Sequence, residues 1–174
     1  MLMKSLKELI NAILNSSENK ELENIKRNPT MIKEITNPTE AQQLAAVRSS
    51  SHVIKYIKEP TKKVRFIALK DDIYNYRYIK SLTKKEQLYL IKEGIRIENI
   101  KRPVEKVQLY ALKWRRASIN DIKNPTEKAQ LITIRKDKEL FLYIKNPTIT
   151  VCQEVARAYC GNIEVPADRR IIKP

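Results

Sequence analysis

Residues 122–135 read Ile-Lys-Asn-Pro-Thr-Glu-Lys-Ala-Gln-Leu-Ile-Thr-Ile-Arg, and the chain restates this stretch at a fixed interval. Pro38, Pro60, Pro103, Pro125 and Pro147 stand 22, 43, 22 and 22 residues apart. The interval of 43 holds one further copy, in which Leu82 takes the place of proline and one residue is lost. An isoleucine opens each copy, at Ile35, Ile57, Ile79, Ile100, Ile122 and Ile144, and a step of 22 residues back from the first reaches Ile13. About seven units therefore run from residue 13 to residue 165. Self-similarity at such a period is the signature of a solenoid, in which each unit buries its apolar face only against its neighbours.

The unit reads as a helical hairpin. In Asn124-Pro125-Thr126-Glu127 and Asn37-Pro38-Thr39-Glu40, asparagine is expected to cap a helix. Proline then takes the first turn, where its missing N–H costs nothing, and glutamate returns to the cap. A helix of about 11 residues follows, about 16 Å long. Its apolar face is expected at unit position ten (Leu22, Leu44, Phe66, Leu88, Leu109, Leu131) and position thirteen (Ile25, Val47, Leu69, Ile91, Leu112, Ile134), three apart and so on one side. Position twelve is often small, as at Ala46, Ala68 and Ala111, which lets helices approach. A second, shorter helix, such as Glu139–Ile144, closes the unit. Neither helix is long enough to stand alone. The fold class is thus all-α, a superhelix of about seven 22-residue hairpins in one domain spanning 1–174. Residues 1–12 are expected to form an N-terminal capping helix and 166–174 a short tail.

Composition narrows the field. Two glycines, Gly94 and Gly161, are too few for a β-sandwich or a dinucleotide-binding fold. No run of 18 apolar residues is present, so no membrane span is expected, and the N-terminus reads as a helix rather than a signal peptide. Cys152 and Cys160 give no disulfide framework and read as small core residues in a reducing compartment, the cytoplasm. The net charge is +15, which attracts polyanions or acidic proteins over long range. The chain is also rich in lysine, isoleucine and asparagine, the residues an AT-rich genome favours, so codon bias is the competing explanation for part of that charge.

The pattern I-K-N-P-T-E-x-x-Q-L-x-A-[VL] resembles short HEAT-like helical repeats of bacterial and phage proteins, a family whose activity is largely unknown. The resemblance covers nearly the whole chain. It implies a superhelical recognition scaffold and carries no catalytic residue with it.

Position fourteen is basic in every unit: Lys26, Arg48, Lys70, Lys92, Lys113, Arg135 and Arg157. A cation at a helix C-terminus offsets the dipole there, which is a structural role. A ladder of one charge per repeat also suits phosphates or an acidic partner. A second series, Lys58, Lys80, Lys101, Lys123 and Lys145, occupies position two. The sole tryptophan lies in Lys113-Trp114-Arg115-Arg116, between the two helices of a unit, and Trp beside Arg is hot-spot and base-stacking chemistry. Tyr89 and Tyr110 share position eleven in neighbouring units and are expected on one surface, whereas Tyr56, Tyr78 and Tyr143, at position twenty-two, are expected to line the interior. His52, the only histidine, has no nucleophile or metal partners and reads as a polar turn residue.

These features point to a non-enzymatic binder without metal, cofactor or small-molecule substrate. Its expected partner is a nucleic-acid-handling protein or nucleoprotein, with an RNA-guided nuclease as one candidate. A small, basic, repeat-built chain with no catalytic set suits a phage or mobile-element inhibitor of host defence, an anti-CRISPR protein. Direct binding of DNA or RNA is the alternative. A DNA glycosylase, with Asp71, Asp72 or Asp137 as its carboxylate, is the enzymatic reading, and a single tryptophan is little for the aromatic groove that such a site would want. The residues expected to bind are Tyr89, Lys101, Tyr110, Lys113, Trp114, Arg115, Arg116, Lys123 and Arg135.

Overall fold

The computed structural model describes residues 16–160. The capping helix expected over 1–12, the ends of the first and last repeats, and the tail at 166–174 lie outside them. The described residues hold α1 (16–27), α2 (Glu40–Ser49), α3 (Lys62–Asp71), α4 (Lys84–Lys92), α5 (Glu105–Lys113), α6 (Glu127–Lys136) and α7 (Ile149–Cys160), and no strand among them. A 3-10 helix follows each of the first six, from three to six residues long. In these six hairpins the second element is therefore a 3-10 helix, the form that short runs adopt.

Helices α2 and α6 start two residues later than the asparagine pattern suggests, and threonine caps them, as it caps α3. Thr39, Thr61 and Thr126 share one extended geometry, φ −63 to −65° and ψ 157 to 159°. Gln42 N–H donates to Thr39 Oγ1 at 3.3 Å, and Thr39 N–H donates back to Gln42 Oε1 at 2.8 Å. The capping box is thus Thr-x-x-Gln rather than Asn-x-x-Glu. Asparagine turns the chain instead: Asn37 sits at φ 55°, in the left-handed region that asparagine tolerates. Asp72 and Asp137 cap the 3-10 helices, accepting from the N–H groups of Tyr74 (2.9 Å) and Glu139 (3.0 Å).

The core follows from helix geometry. Position eight (Val64, Val107, Ala129, Val151), position twelve (Ala46, Ala68, Leu90, Ala111) and position thirteen (Ile25, Val47, Leu69, Ile91, Ile134) are buried. Position ten is only half-buried throughout, from Leu22 to Leu131. At 100° per residue it falls at the margin of the arc that eight, twelve and thirteen define, and Leu109 and Leu131 pack there against the buried cluster of Ile119, Ala129, Ile134, Ile144 and Val151. The opening isoleucine of Ile57, Ile79, Ile100, Ile122 and Ile144 is buried in each case. Tyr56, Tyr78 and Tyr143, just before it, are 41, 49 and 58 % exposed, because the isoleucine takes the inward place and turns its neighbour out. Cys152 is also exposed and free. It holds the position at which Gln130 reaches the next hairpin, and beyond α7 no hairpin is described.

That glutamine, at position nine, fastens one repeat to the next. Gln108 Oε1 accepts from Thr126 N–H at 2.8 Å, while its Nε2 donates to the carbonyls of Pro103 (2.9 Å) and Asn124 (3.3 Å). Gln130 repeats the arrangement with Thr148, Pro125 and Asn146. Gln87 holds Val104 N–H and Arg102 O, and Gln43 holds Thr61 N–H and Pro38 O. All four side chains are buried. Where the third repeat has arginine, the same work is divided between two residues. Arg65 donates to Ser81 O at 3.1 Å and its Nε lies 3.0 Å from Glu86 Oε1, while Glu86 Oε2 accepts from Thr83 N–H at 2.6 Å.

The chain divides into two compact units, Met1–Glu86 and Gln87–Pro174, the boundary falling within α4. In the first, α2 packs on α3 and the 3-10 helices Pro29–Glu34, Ser51–Tyr56 and Ile73–Tyr78 pack in series beside them. In the second, α5 packs on α6 and α6 on α7, with Ile119–Asp121 and Lys138–Tyr143 against α6 and each other. Each unit is an all-α stack of HEAT-like hairpins, an α-solenoid architecture.

Candidate binding groove

Among α2 to α6, two repeats end their long helix differently from the other three. Helices α2, α3 and α6 stop on extended residues, Ser50, Asp72 and Asp137, and pass directly into six-residue 3-10 helices. Helix α4 closes with a left-handed residue, Gly94 at φ 93°, and the Ile95 N–H reaches back to Leu90 O at 2.9 Å. Helix α5 makes the same closure without glycine. Arg115 stands at φ 52°, Arg116 N–H donates to Ala111 O at 2.8 Å and Arg115 N–H to Leu112 O at 3.4 Å. This is the Schellman pattern, which glycine ordinarily fills because a Cβ disfavours the left-handed region. The turn inserts Trp114, Arg115 and Arg116 between α5 and a 3-10 helix of only three residues, and leaves the Trp114 indole 59 % exposed.

Trp114 and Arg115 edge a groove of about 900 Å³ within the second unit. Its apolar lining comes from Leu88 of α4, Leu109, Tyr110 and Leu112 of α5, and Ile132 of α6. Five cations complete it, Lys92, Lys106, Lys113, Arg115 and Lys136, and among the described residues no carboxylate lines it. The Tyr110 and Trp114 rings lie 6.1 Å apart, tilted by 41°. Lys92 Nζ lies 5.8 Å from the Tyr110 centroid and Lys113 Nζ 5.9 Å from that of Trp114, so each ring carries a cation at cation–π range. A second groove of about 710 Å³ shares Leu112, Arg115, Ile132 and Lys136 with the first and adds Arg116 and Tyr143. Asp121 lines this second groove, its carboxylate accepting from Ser118 N–H at 2.7 Å.

The nine residues expected from the sequence separate here. Tyr110, Lys113, Trp114 and Arg115 share the first groove, and Arg116 joins Arg115 in the second. Lys123 lines a third cavity with Lys145. Lys101 is exposed and Tyr89 half-buried, and neither lines these three. Arg135 faces elsewhere, holding Glu154 through Nε (2.7 Å) and Nη2 (2.9 Å). The hydrogen bond from Arg135 keeps the Glu154 carboxyl below its ordinary range. Lys92, Lys106 and Lys136 were missed as a group. The signal was present: Lys106, Leu109, Tyr110 and Lys113 fall at i, i+3, i+4 and i+7 of α5, one helix face. Leu109 belongs to that face and to the margin of the core at once.

Among the described residues no group of three His, Cys, Asp or Glu stands ready to hold a metal, and no helix is long and apolar enough to cross a membrane. Asp72 and Asp137 serve as caps, and His52 is exposed with Nδ1 3.6 Å from Asp72. The class the structure defines is a helical-repeat scaffold. No protein-family model, curated protein or solved structure matches the chain.

Proposed function

We propose that this protein is a non-enzymatic binding scaffold that docks on a nucleic-acid-handling protein or nucleoprotein through the groove beside Trp114. The carrying observation is the lining itself: five cations, an exposed indole and, among the described residues, no carboxylate. Cations spread around a concave wall focus a field on an anionic partner, and a Trp flanked by basic residues is the composition of interface hot spots. A small cationic scaffold of HEAT-like repeats, of the kind found in bacteria and phages, suits a phage or mobile-element inhibitor that acts in the cytoplasm on an RNA-guided nuclease. Direct binding of DNA or RNA is a second reading, favoured by the Tyr110–Trp114 pair.

The test is capture of partners by the tagged full chain, with and without nuclease. Arg115→Glu with Arg116→Glu is expected to abolish capture while the helical circular dichroism is retained. A folded double variant that recovers the same partners in the same amount overturns the reading. Recovery that survives nuclease treatment points to the protein partner, and recovery lost on treatment points to nucleic acid.

A further inference from the structure

We infer that the groove lined by Trp114 receives single-stranded nucleic acid, one base stacking on the indole and the neighbouring phosphates pairing with Lys92, Lys106, Lys113, Arg115 and Lys136. This rests on the reading of the groove as the docking surface and names what enters it: an unpaired strand, as a guide or a displaced strand of a nucleoprotein presents. One observation favours a strand over an acidic protein segment, and two more fit an anionic occupant in general. The largest exposed apolar surface in the groove is an aromatic ring, Trp114 at 59 %, whereas the leucines of its floor are half-buried. A planar indole offers its face to any base, and such stacking is tolerant of sequence. Among the described residues the lining carries no carboxylate, so none of them repels a phosphate chain or fixes a partner's lysine. Arg115 adds a third point. A non-glycine residue at φ 52° keeps a guanidinium at the junction of two grooves in a turn where glycine would be less strained. A duplex presents no unstacked base, so it engages the cations alone.

Trp114 is the only tryptophan, so its emission reports on this groove directly. The purified full chain is titrated with oligothymidylate and oligouridylate of about 16 nucleotides, a usual site size. Duplex DNA of equal length and poly-L-glutamate serve as comparisons. Binding of the single strands is expected to quench Trp114 emission. Their affinity is expected to fall log-linearly with salt, with a slope near −3.5 if all five cations contact phosphates, at about 0.7 per contact. By anisotropy of labelled oligothymidylate, Trp114→Ala is expected to lose about five- to 150-fold in affinity. Trp114→Phe keeps most of it. Equal affinity of wild type and a folded Trp114→Ala variant overturns the inference, as does duplex binding as tight as single-strand binding. Poly-L-glutamate binding that matches the single strands, with the emission unquenched by them, overturns it in favour of an acidic protein segment. In that case partner capture that is nuclease-resistant and sensitive to Arg115→Glu/Arg116→Glu leaves the docking function standing. The opposite pattern, oligonucleotide quenching together with capture unaffected by those two changes, upholds the strand in the groove and places the partner elsewhere.

Discussion

Single residues carry the exceptions to the repeat, and the exceptions are informative. Threonine caps α2, α3 and α6, but Val104 stands at the same place before α5, at φ −67° and ψ 152°, with no side chain to accept from the first turn. The backbone already has the threonine geometry, so Val104→Thr is expected to stabilise the protein by about 1 kcal/mol, the usual worth of an N-cap. Val104 is 39 % exposed, so little packing is lost. Chemical denaturation checks this, and an unchanged midpoint would mean that α5 gains nothing from its cap. Arg115 is the opposite case, a strained residue where the fold would accept glycine. Arg115→Gly is expected to raise stability by about 1 kcal/mol through relief of the left-handed conformation. The same change is expected to weaken partner capture, the pattern of a residue held in place for binding. A gain in stability with full binding would reduce Arg115 to a turn residue.

At the level of the element, much of the fold was legible because its signal is periodic. An isoleucine every 22 residues and proline-marked starts are properties of spacing, and spacing is what a sequence displays. Two things were less visible. The first is which of two adjacent stripes faces inward. Leucine at position ten is as apolar as a core residue, yet positions eight and twelve, often valine and alanine, are the buried ones. Small residues fill the space where helices approach, and the larger leucines are left to floor a groove. Ile134→Ala is therefore expected to cost about 2–5 kcal/mol, the range for a buried large-to-small change. Leu109→Ala is expected to cost clearly less, since Leu109 is half-buried. Thermal unfolding of the two variants gives the order, and a larger loss at Leu109 would move position ten from the margin of the core to its centre. The second is the glutamine at position nine. It is plain in the repeated motif, but its task shows only in three dimensions, where it meets backbone groups of the following turn. Gln130→Leu strands Thr148 N–H and the carbonyls of Pro125 and Asn146. These groups are only part-buried, so water takes up some of the lost bonds and the expected cost is about 1–3 kcal/mol in all, read by chemical denaturation.

For the whole molecule, the candidate site was half legible. The Trp-Arg-Arg run stands out by composition, while the lysines that complete the groove sit on α4, α5 and α6 and converge only through stacking. A basic residue at position fourteen of every unit has the same sequence signature whether it offsets a dipole, pairs with a carboxylate or lines a groove. The structure separates these cases: Lys26 with Glu23 at 2.6 Å, Arg135 with Glu154 at 2.7 Å, and Lys92 and Lys113 over aromatic rings in the groove. The same scale bears on how the chain unfolds. The boundary between its two units falls inside α4 rather than in a linker, and a helix interior is a poor place to separate domains, since a break there exposes backbone groups that the helix satisfies. We therefore propose that residues 1–174 behave as a single domain. Scanning calorimetry and circular dichroism are expected to give one coincident transition, with calorimetric and van't Hoff enthalpies in agreement. Repeat arrays lose such cooperativity when one junction is weak, so two resolved transitions, or a calorimetric enthalpy well above the van't Hoff value, would locate that weakness and make the units separate domains. Arg65→Gln with Glu86→Gln probes the idea locally. It restores the common glutamine at position nine and removes an ion pair that lies almost wholly out of water. If the arginine–glutamate pair is only a substitute for the glutamine, the double variant melts in one transition at or above the wild-type temperature. A fall in melting temperature would instead assign the pair a stabilising role that glutamine cannot fill.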